Sequence, residues 1–148
     1  MTTKECESKK YCCFYASDFH LEMILLPYIK KNIHKDKFMI FTEENLSESM
    51  RILLNRTNLK QDEKKLMLDL NWNPKGNKEI LQNNLNNSTI IINGSNKYIS
   101  KINEEINRIN PKKINIIDCY SINDSTLEPG RIQEKYDGVL NSQNYKKI

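Results

Sequence analysis

Polar side chains that follow directly on apolar runs are where chemistry would sit in this chain. Asp18 and His20 come just after Tyr11 to Tyr15, and Glu43 comes just after Phe38 to Thr42. Asn93 and Ser95 flank Gly94 after Thr89 to Ile92, while Asp118 and Tyr120 close the run that begins at Ile114. Carboxylates, an imidazole, an amide and hydroxyls together suit the binding of a small polar molecule. Asp18, His20, Glu43 and Asp118 are also hard oxygen donors with one imidazole, a set that could hold a metal. Each has an ordinary use, however: Asp18 can cap a helix, Glu43 and Glu44 favour a helix amino end, and Asp118 can cap a turn. The reading taken is that Asp18, His20, Glu43, Asn93, Ser95, Asp118 and Tyr120 bind a ligand, with no metal, no cofactor and no assigned catalytic residue.

Other chemistries lack their motifs. The four glycines, Gly76, Gly94, Gly130 and Gly138, form neither Gly-x-Gly-x-x-Gly nor a phosphate loop ending in Gly-Lys-Ser/Thr. A serine-nucleophile triad would need Gly-x-Ser-x-Gly and a late histidine, but the two histidines, His20 and His34, are both early. Cys6, Cys12, Cys13 and Cys119 have neither zinc spacing nor the pattern of a disulfide framework. They read as reduced thiols, with Cys119, near a strand end, the one placed to react. The net charge of +4 is scattered among Lys, Glu and Asp, and Arg is scarce, which argues against nucleic acid.

The elements that must position these residues alternate. Tyr11 to Tyr15 is apolar throughout, as in a strand buried on both faces, and Leu21, Ile24, Leu25, Tyr28 and Ile29 then follow one helical face. Pro27 falls inside that helix and should kink it. Phe38 to Thr42 reads as a second strand, and Asn45 with Glu48 as a capping-box start to a second helix. Leu59 to Leu70 is spaced for a helix, with Leu66 to Leu70 open to either helix or strand. Asn71 to Gly76 is a turn in which Trp72 reads as core, and Asn77 to Leu85 a weak helix. Thr89 to Asn93 is a third strand, Tyr98 to Ile109 the clearest helix, and Ile114 to Asp118 a fourth strand. A short helix within Leu127 to Tyr136 leads to a fifth strand at Gly138 to Asn141.

This alternation predicts one α/β domain over residues 11–141, a three-layer α/β/α stack on a mostly parallel sheet of about five strands, RecA/Rossmann-like in class. Residues 1–10 read as a loose lead-in and 142–148 as a tail. Right-handed crossovers would bring the strand-to-helix turns to one edge, an acid-leaning rim that also takes in Ser17, Thr42, Glu44 and Asn141. No apolar run approaches the roughly 20 residues of a membrane span, and the polar start does not read as a signal peptide, so a cytoplasmic protein is expected.

Cys13-Phe-Tyr-Ala-Ser-Asp-Phe-His20, Leu25-Leu-Pro-Tyr-Ile29, and Phe38-Met-Ile-Phe-Thr-Glu43 with Asn45-Leu46 resemble the MEDS family. That family is the sensory domain of methanogen, methylotroph and dichloromethane-regulator proteins. The resemblance is best over Tyr11 to Arg56, and its pattern residues here are Phe14, Tyr15, Pro27 and Tyr28. It implies a RecA-like domain without a working phosphate loop that senses small molecules in bacterial or archaeal signalling. The chain shows no attached helix-turn-helix or kinase, so a stand-alone module would signal through a regulatory protein partner. Two other readings stay open: a small hydrolase-like enzyme using His20 with Asp18 or Asp118, and a structural adaptor. Ligand, partner and oligomeric state, a homodimer included, are not legible.

Overall fold

A computed structural model describes residues 8–124, 127–140 and 145–147. The chain forms β1 (Lys9–Tyr15), α1 (Asp18–Asn32), β2 (Lys37–Thr42), α2 (Ser47–Asn55), α3 (Gln61–Leu68), a 3-10 turn (Pro74–Gly76) and α4 (Asn77–Leu81). There follow β3 (Ser88–Gly94), α5 (Asn96–Ile109), β4 (Asn115–Ser121), α6 (Pro129–Gln133), β5 (Gly138–Leu140) and β6 (Tyr145–Lys147). The sheet order is β2-β3-β4-β1-β5-β6, parallel except for β6, which runs antiparallel beside β5.

Strand periodicity divides the core in two. Cys13, Tyr15, Ile40, Ile91, Ile117 and Cys119 face one side and pack with Leu21, Leu25 and Ile29 of α1, Met50 and Leu54 of α2, and Met67 of α3. Cys12, Phe41, Ile90, Ile92 and Ile116 face the other side and pack with Ile80 of α4, Ile99, Ile102 and Ile106 of α5, and Ile132 of α6. Adjacent residues of a strand point to opposite faces, so Cys12 and Cys13 fall in different layers. The α/β/α stack and its mostly parallel sheet are therefore as the sequence predicts.

Direction of travel explains which helix lies where. α1 carries the chain from β1 to the far strand β2, whereas α4, α5 and α6 carry it back one way across the sheet. Right-handed crossovers in opposite directions must use opposite faces. The α2–α3 pair is an excursion onto the α1 face before α4 crosses over. Helix departures therefore diverge at the neighbouring strands β1 and β4, a topological switch point of the kind beside which open α/β sheets bind ligands.

Several element readings need adjusting. Leu66 to Leu70 is not a strand, since α3 runs to Leu68. α2 is preceded by Leu46 rather than capped by Asn45, whose Oδ1 instead accepts the Ser47 N–H at 3.0 Å in a local turn. α1 continues through Pro27 to Asn32, and Pro27 is exposed, so water can serve the carbonyl its missing N–H leaves over. β1 begins at Lys9, inside the expected lead-in, and β6 falls in a tail whose sequence gives no strand pattern. β4 runs on to Ser121, so Asp118 and Tyr120 lie within the strand and not in the loop beyond it. Among the described residues, no helix is long and apolar enough to cross a membrane.

Candidate functional site

At the carboxyl edge of the sheet a cleft of about 640 Å³ opens beside the switch point. Its walls come from four consecutive strand ends: Tyr15 to Asp18 at the end of β1, Glu43 and Glu44 after β2, Asn93 to Ser95 at the end of β3, and Ser121, Asn123 and Asp124 at the end of β4. Hydrogen bonds tie these walls together. The Ile122 N–H donates to the Tyr15 carbonyl at 2.9 Å, Asn123 Nδ2 donates to the Ala16 carbonyl at 3.3 Å, and the Glu43 N–H donates to the Asn93 carbonyl at 3.1 Å. Thr42 and Asn93 are buried beneath, the Thr42 hydroxyl sitting 2.8 Å from Asn93 Oδ1.

Several donors at the helix starts beside the cleft are engaged by the protein itself. Ser17 caps α1 by accepting the His20 N–H at 3.1 Å, and the Ala16 N–H donates to His20 Nδ1 at 2.9 Å. At α5, Ser95 Oγ accepts the Tyr98 N–H, the Ser95 N–H donates to Glu43 Oε1 at 2.8 Å, and the Asn96 N–H donates to Asp124 Oδ2 at 2.7 Å. Helix amino ends are the usual seats of anions. Here two side-chain carboxylates occupy the α5 seat. Gly94 allows the approach: it has φ +152°, and a Cβ there would stand 2.7 Å from Glu43 Oε1.

What remains facing the space is acidic. Asp18, Glu43, Glu44 and Asp124 line it, and among the described residues no Lys, Arg or His does. The Glu44 carboxyl is held above its usual range, first by the charge of Asp18, then by burial and by a hydrogen bond between the two carboxyls. Repulsion from the neighbouring Asp18 charge makes Glu44 harder to ionise than a separate carboxylate. A cation or an amine placed between them would relieve that repulsion.

Of the seven residues expected to bind, Asp18, Glu43, Asn93 and Ser95 line the cleft, while His20, Asp118 and Tyr120 do not. His20 is exposed on α1 with Nδ1 engaged by the backbone, which leaves the proton of a neutral ring on Nε2. Asp118, fully buried in mid-strand, points into the α5 layer. It accepts from Tyr136 Oη at 2.5 Å and from Asn103 Nδ2 at 3.2 Å, and Lys10 Nζ lies 3.7 Å away. Burial raises the Asp118 pKa, and Lys10, Tyr136 and Asn103 work against that rise. Tyr120 stands in the same layer with its hydroxyl 2.6 Å from that of Tyr136. Each hydroxyl has one proton, so the chain runs Tyr120 to Tyr136 to Asp118. His20 and Asp118 therefore do not meet, so of the two pairings open to the enzyme reading, His20 with Asp118 is not formed. Asn141 lies outside the described residues.

Ser121, Asn123 and Asp124 are wall residues that strand periodicity alone did not single out. Their signal was Cys119-Tyr120-Ser121, which extends the apolar run past the charged Asp118. Cys119 is buried, and desolvation raises its pKa well above the ordinary thiol value, so the expectation of reactivity gives way to that of an inert core thiol. Among the described residues no group of three or more His, Cys, Asp or Glu is arranged to hold a metal ion. Trp72 is buried, its Nε1–H donating to the Met67 carbonyl at 2.7 Å, and its own carbonyl accepts the Leu46 N–H that starts α2. No protein-family model, no curated protein and no solved structure matches this chain.

Proposed function

We propose that this chain is a sensory or regulatory module that binds a small amine-bearing or otherwise cationic molecule in the switch-point cleft and passes its state to a protein partner. One observation carries the reading. Among the described residues the cleft is lined by four carboxylates and no cation, while the α5 amino end that would attract an anion is already filled by Glu43 and Asp124. A phosphate or carboxylate ligand would meet only like charge, whereas an ammonium group would find Asp18 and Glu44 side by side. Ser17, Ser95, Ser121 and Asn123 supply hydrogen-bonding positions for the rest of such a ligand.

The resemblance to the MEDS family supports the sensory part of this reading, because its pattern covers the β1–α1–β2 region that supplies Tyr15, Asp18 and Glu43. α1 supports the relay. It starts at the cleft with Asp18 and continues along the surface, so tightening at Asp18 is transmitted to a helix that other proteins can reach.

Thermal-shift screening of diamines and amino alcohols against matched carboxylates and nucleotides tests the reading. The expected result is a melting temperature raised by an amine and not by the anions. That response is lost in Asp18→Asn and Glu44→Gln variants that melt like the parent, and kept in His20→Ala. A shift produced by anions alone would overturn it.

A further inference from the structure

Opposite edges of the sheet carry opposite charge. Strands β1 to β5 all point toward the cleft, so their first residues and the last turns of α1 and α5 come together at the far, amino edge. Lys9 and Lys10 open β1, Lys35 and Lys37 lie at the start of β2, and Lys112 and Lys113 lead into β4. Lys30 and Lys31 end α1, and Arg108 ends α5. Among the described residues only Lys10 of this set forms an ion pair, with Asp118 at 3.7 Å. Lys37 Nζ donates to the Asn84 carbonyl at 2.6 Å and keeps its charge. Fewer acids stand here, and two are engaged within the fold: Asp36 Oδ2 accepts the Thr89 hydroxyl and Asp137 Oδ2 accepts the Lys10 N–H. Glu134 stands beside Lys135, and Arg56 and Lys60 offset Asp62 and Glu63 at the α2–α3 corner. Lysines scattered along the chain are therefore gathered by the fold on one side.

Two further observations say what this side meets. Ile109, the last residue of α5, is 43% exposed, and Arg108, Lys112 and Lys113 flank it along the chain. An apolar side chain set among basic ones suits the boundary between water and lipid. Beside it a cavity of about 330 Å³ opens between the start of β1 and the end of α5, lined by Lys9, Lys10, Asn107, Asn110 and Pro111 and, among the described residues, by no acid. Ammonium and amide groups there suit the phosphate of a lipid headgroup. Nucleic acid fits less well. The basic set has one arginine, and Phe19, the one exposed Phe, Tyr or Trp among the described side chains, lies at the cleft edge. Bidentate phosphate contacts and base stacking thus both lack their residues.

We infer that the amino edge of the sheet docks on a membrane surface of anionic lipid, with Ile109 entering the headgroup layer and a lipid phosphate seated between Lys9, Lys10 and the end of α5. The lysines that open β2 and β1 stand three strand spacings apart, roughly 15 Å, which suits a plane of many charges rather than one small anion. Docked this way, the acidic cleft at the opposite edge faces away from the membrane and stays open to solution.

The test is flotation of the full chain with vesicles of phosphatidylcholine alone and of phosphatidylcholine with about one-third phosphatidylserine, in about 0.1 M salt. The chain is expected to float only with the anionic vesicles and to be released in about 0.5 M salt. One basic residue near such a surface is worth roughly fivefold in binding, so Lys112→Glu should weaken it by at least about fivefold. Lys97→Glu makes the same change of charge in the first turn of α5, at the cleft edge, and should leave binding within about twofold. Ile109→Ser should weaken vesicle binding roughly threefold and leave any retention on polyuridylate unchanged. All three positions are exposed, so the fold is kept. A chain that does not float with the anionic vesicles would overturn the inference. So would equal losses from Lys97→Glu and Lys112→Glu, or an edge that holds polyuridylate more tightly than vesicles and is indifferent to Ile109→Ser.

Discussion

Replacing Glu43 by Gln and Asp124 by Asn should turn an anion-rejecting helix end into an anion-accepting one. In the parent, Glu43 Oε1 takes the Ser95 N–H at 2.8 Å and Asp124 Oδ2 takes the Asn96 N–H at 2.7 Å. The amide substitutions keep an oxygen acceptor at each place and remove two negative charges. Losing a charge at a helix amino end costs about 0.5–1 kcal/mol each, hence about 1–2 kcal/mol for the pair. At this chain length that lowers the melting temperature by roughly 3–8 °C. An anion can then compete for the donors. If phosphate binds the variant with a Kd of about 10 mM, about 100 mM phosphate restores some 1.4 kcal/mol, and most of the loss. The assay is thermal denaturation in phosphate against sodium chloride of equal ionic strength, which cancels general screening. The parent should show no phosphate-specific gain. A gain as large in the parent as in the variant would mean that the α5 end is open to anions, and the charge argument for the cleft would fail.

Tyr136→Phe removes one donor from the buried Asp118 and leaves the Tyr120 hydroxyl without its acceptor, for a loss of about 2 kcal/mol near neutral pH. Asp118 has a folded pKa above its ordinary 3.8, so the folded state binds the proton more tightly and stability falls as pH rises from that value. Losing a donor to the carboxylate raises the folded pKa further. Chemical denaturation should therefore show a larger Tyr136→Phe deficit at pH 7 than at pH 4, and equal deficits would contradict the network. Gly94→Ala puts a Cβ within 2.7 Å of Glu43 Oε1 and 2.9 Å of Tyr98 Cδ2 at φ +152°, and should cost about 2–4 kcal/mol by urea titration. Cys12, Cys13 and Cys119 are fully buried, so peptide mapping after brief iodoacetamide treatment should find them alkylated only in denaturant. Rapid labelling of Cys119 in the native protein would show that its thiol is reachable after all.

The order of elements and their layers were legible because they rest on local periodicity. Unbroken apolar runs at Tyr11 to Tyr15, Phe38 to Thr42 and Thr89 to Ile92 mean strands covered on both sides, and helical spacing between them means crossover helices. Trp72 as core follows from residue type and position in the same way. Four of the seven expected binding residues were also legible, since Asp18, Glu43, Asn93 and Ser95 sit at or beside strand ends whose limits the pattern marks well.

Tertiary structure decided the rest. A single charged residue in an apolar run reads as the end of a strand, yet Asp118 is tolerated in mid-strand because Tyr136, Asn103 and Lys10, distant in sequence, reach it from other elements. Whether an isolated carboxylate is a strand end or a buried partner depends on groups that periodicity does not relate to it. The strand order β2-β3-β4-β1-β5, and with it the switch point, is likewise set by which edges meet in space. Sequence determined that several carboxylates would gather at one edge of a parallel sheet. Only the folded chain decided that two of them would occupy the α5 amino end and that Asp18 and Glu44 would stand together, because those arrangements depend on contacts between residues far apart along the chain.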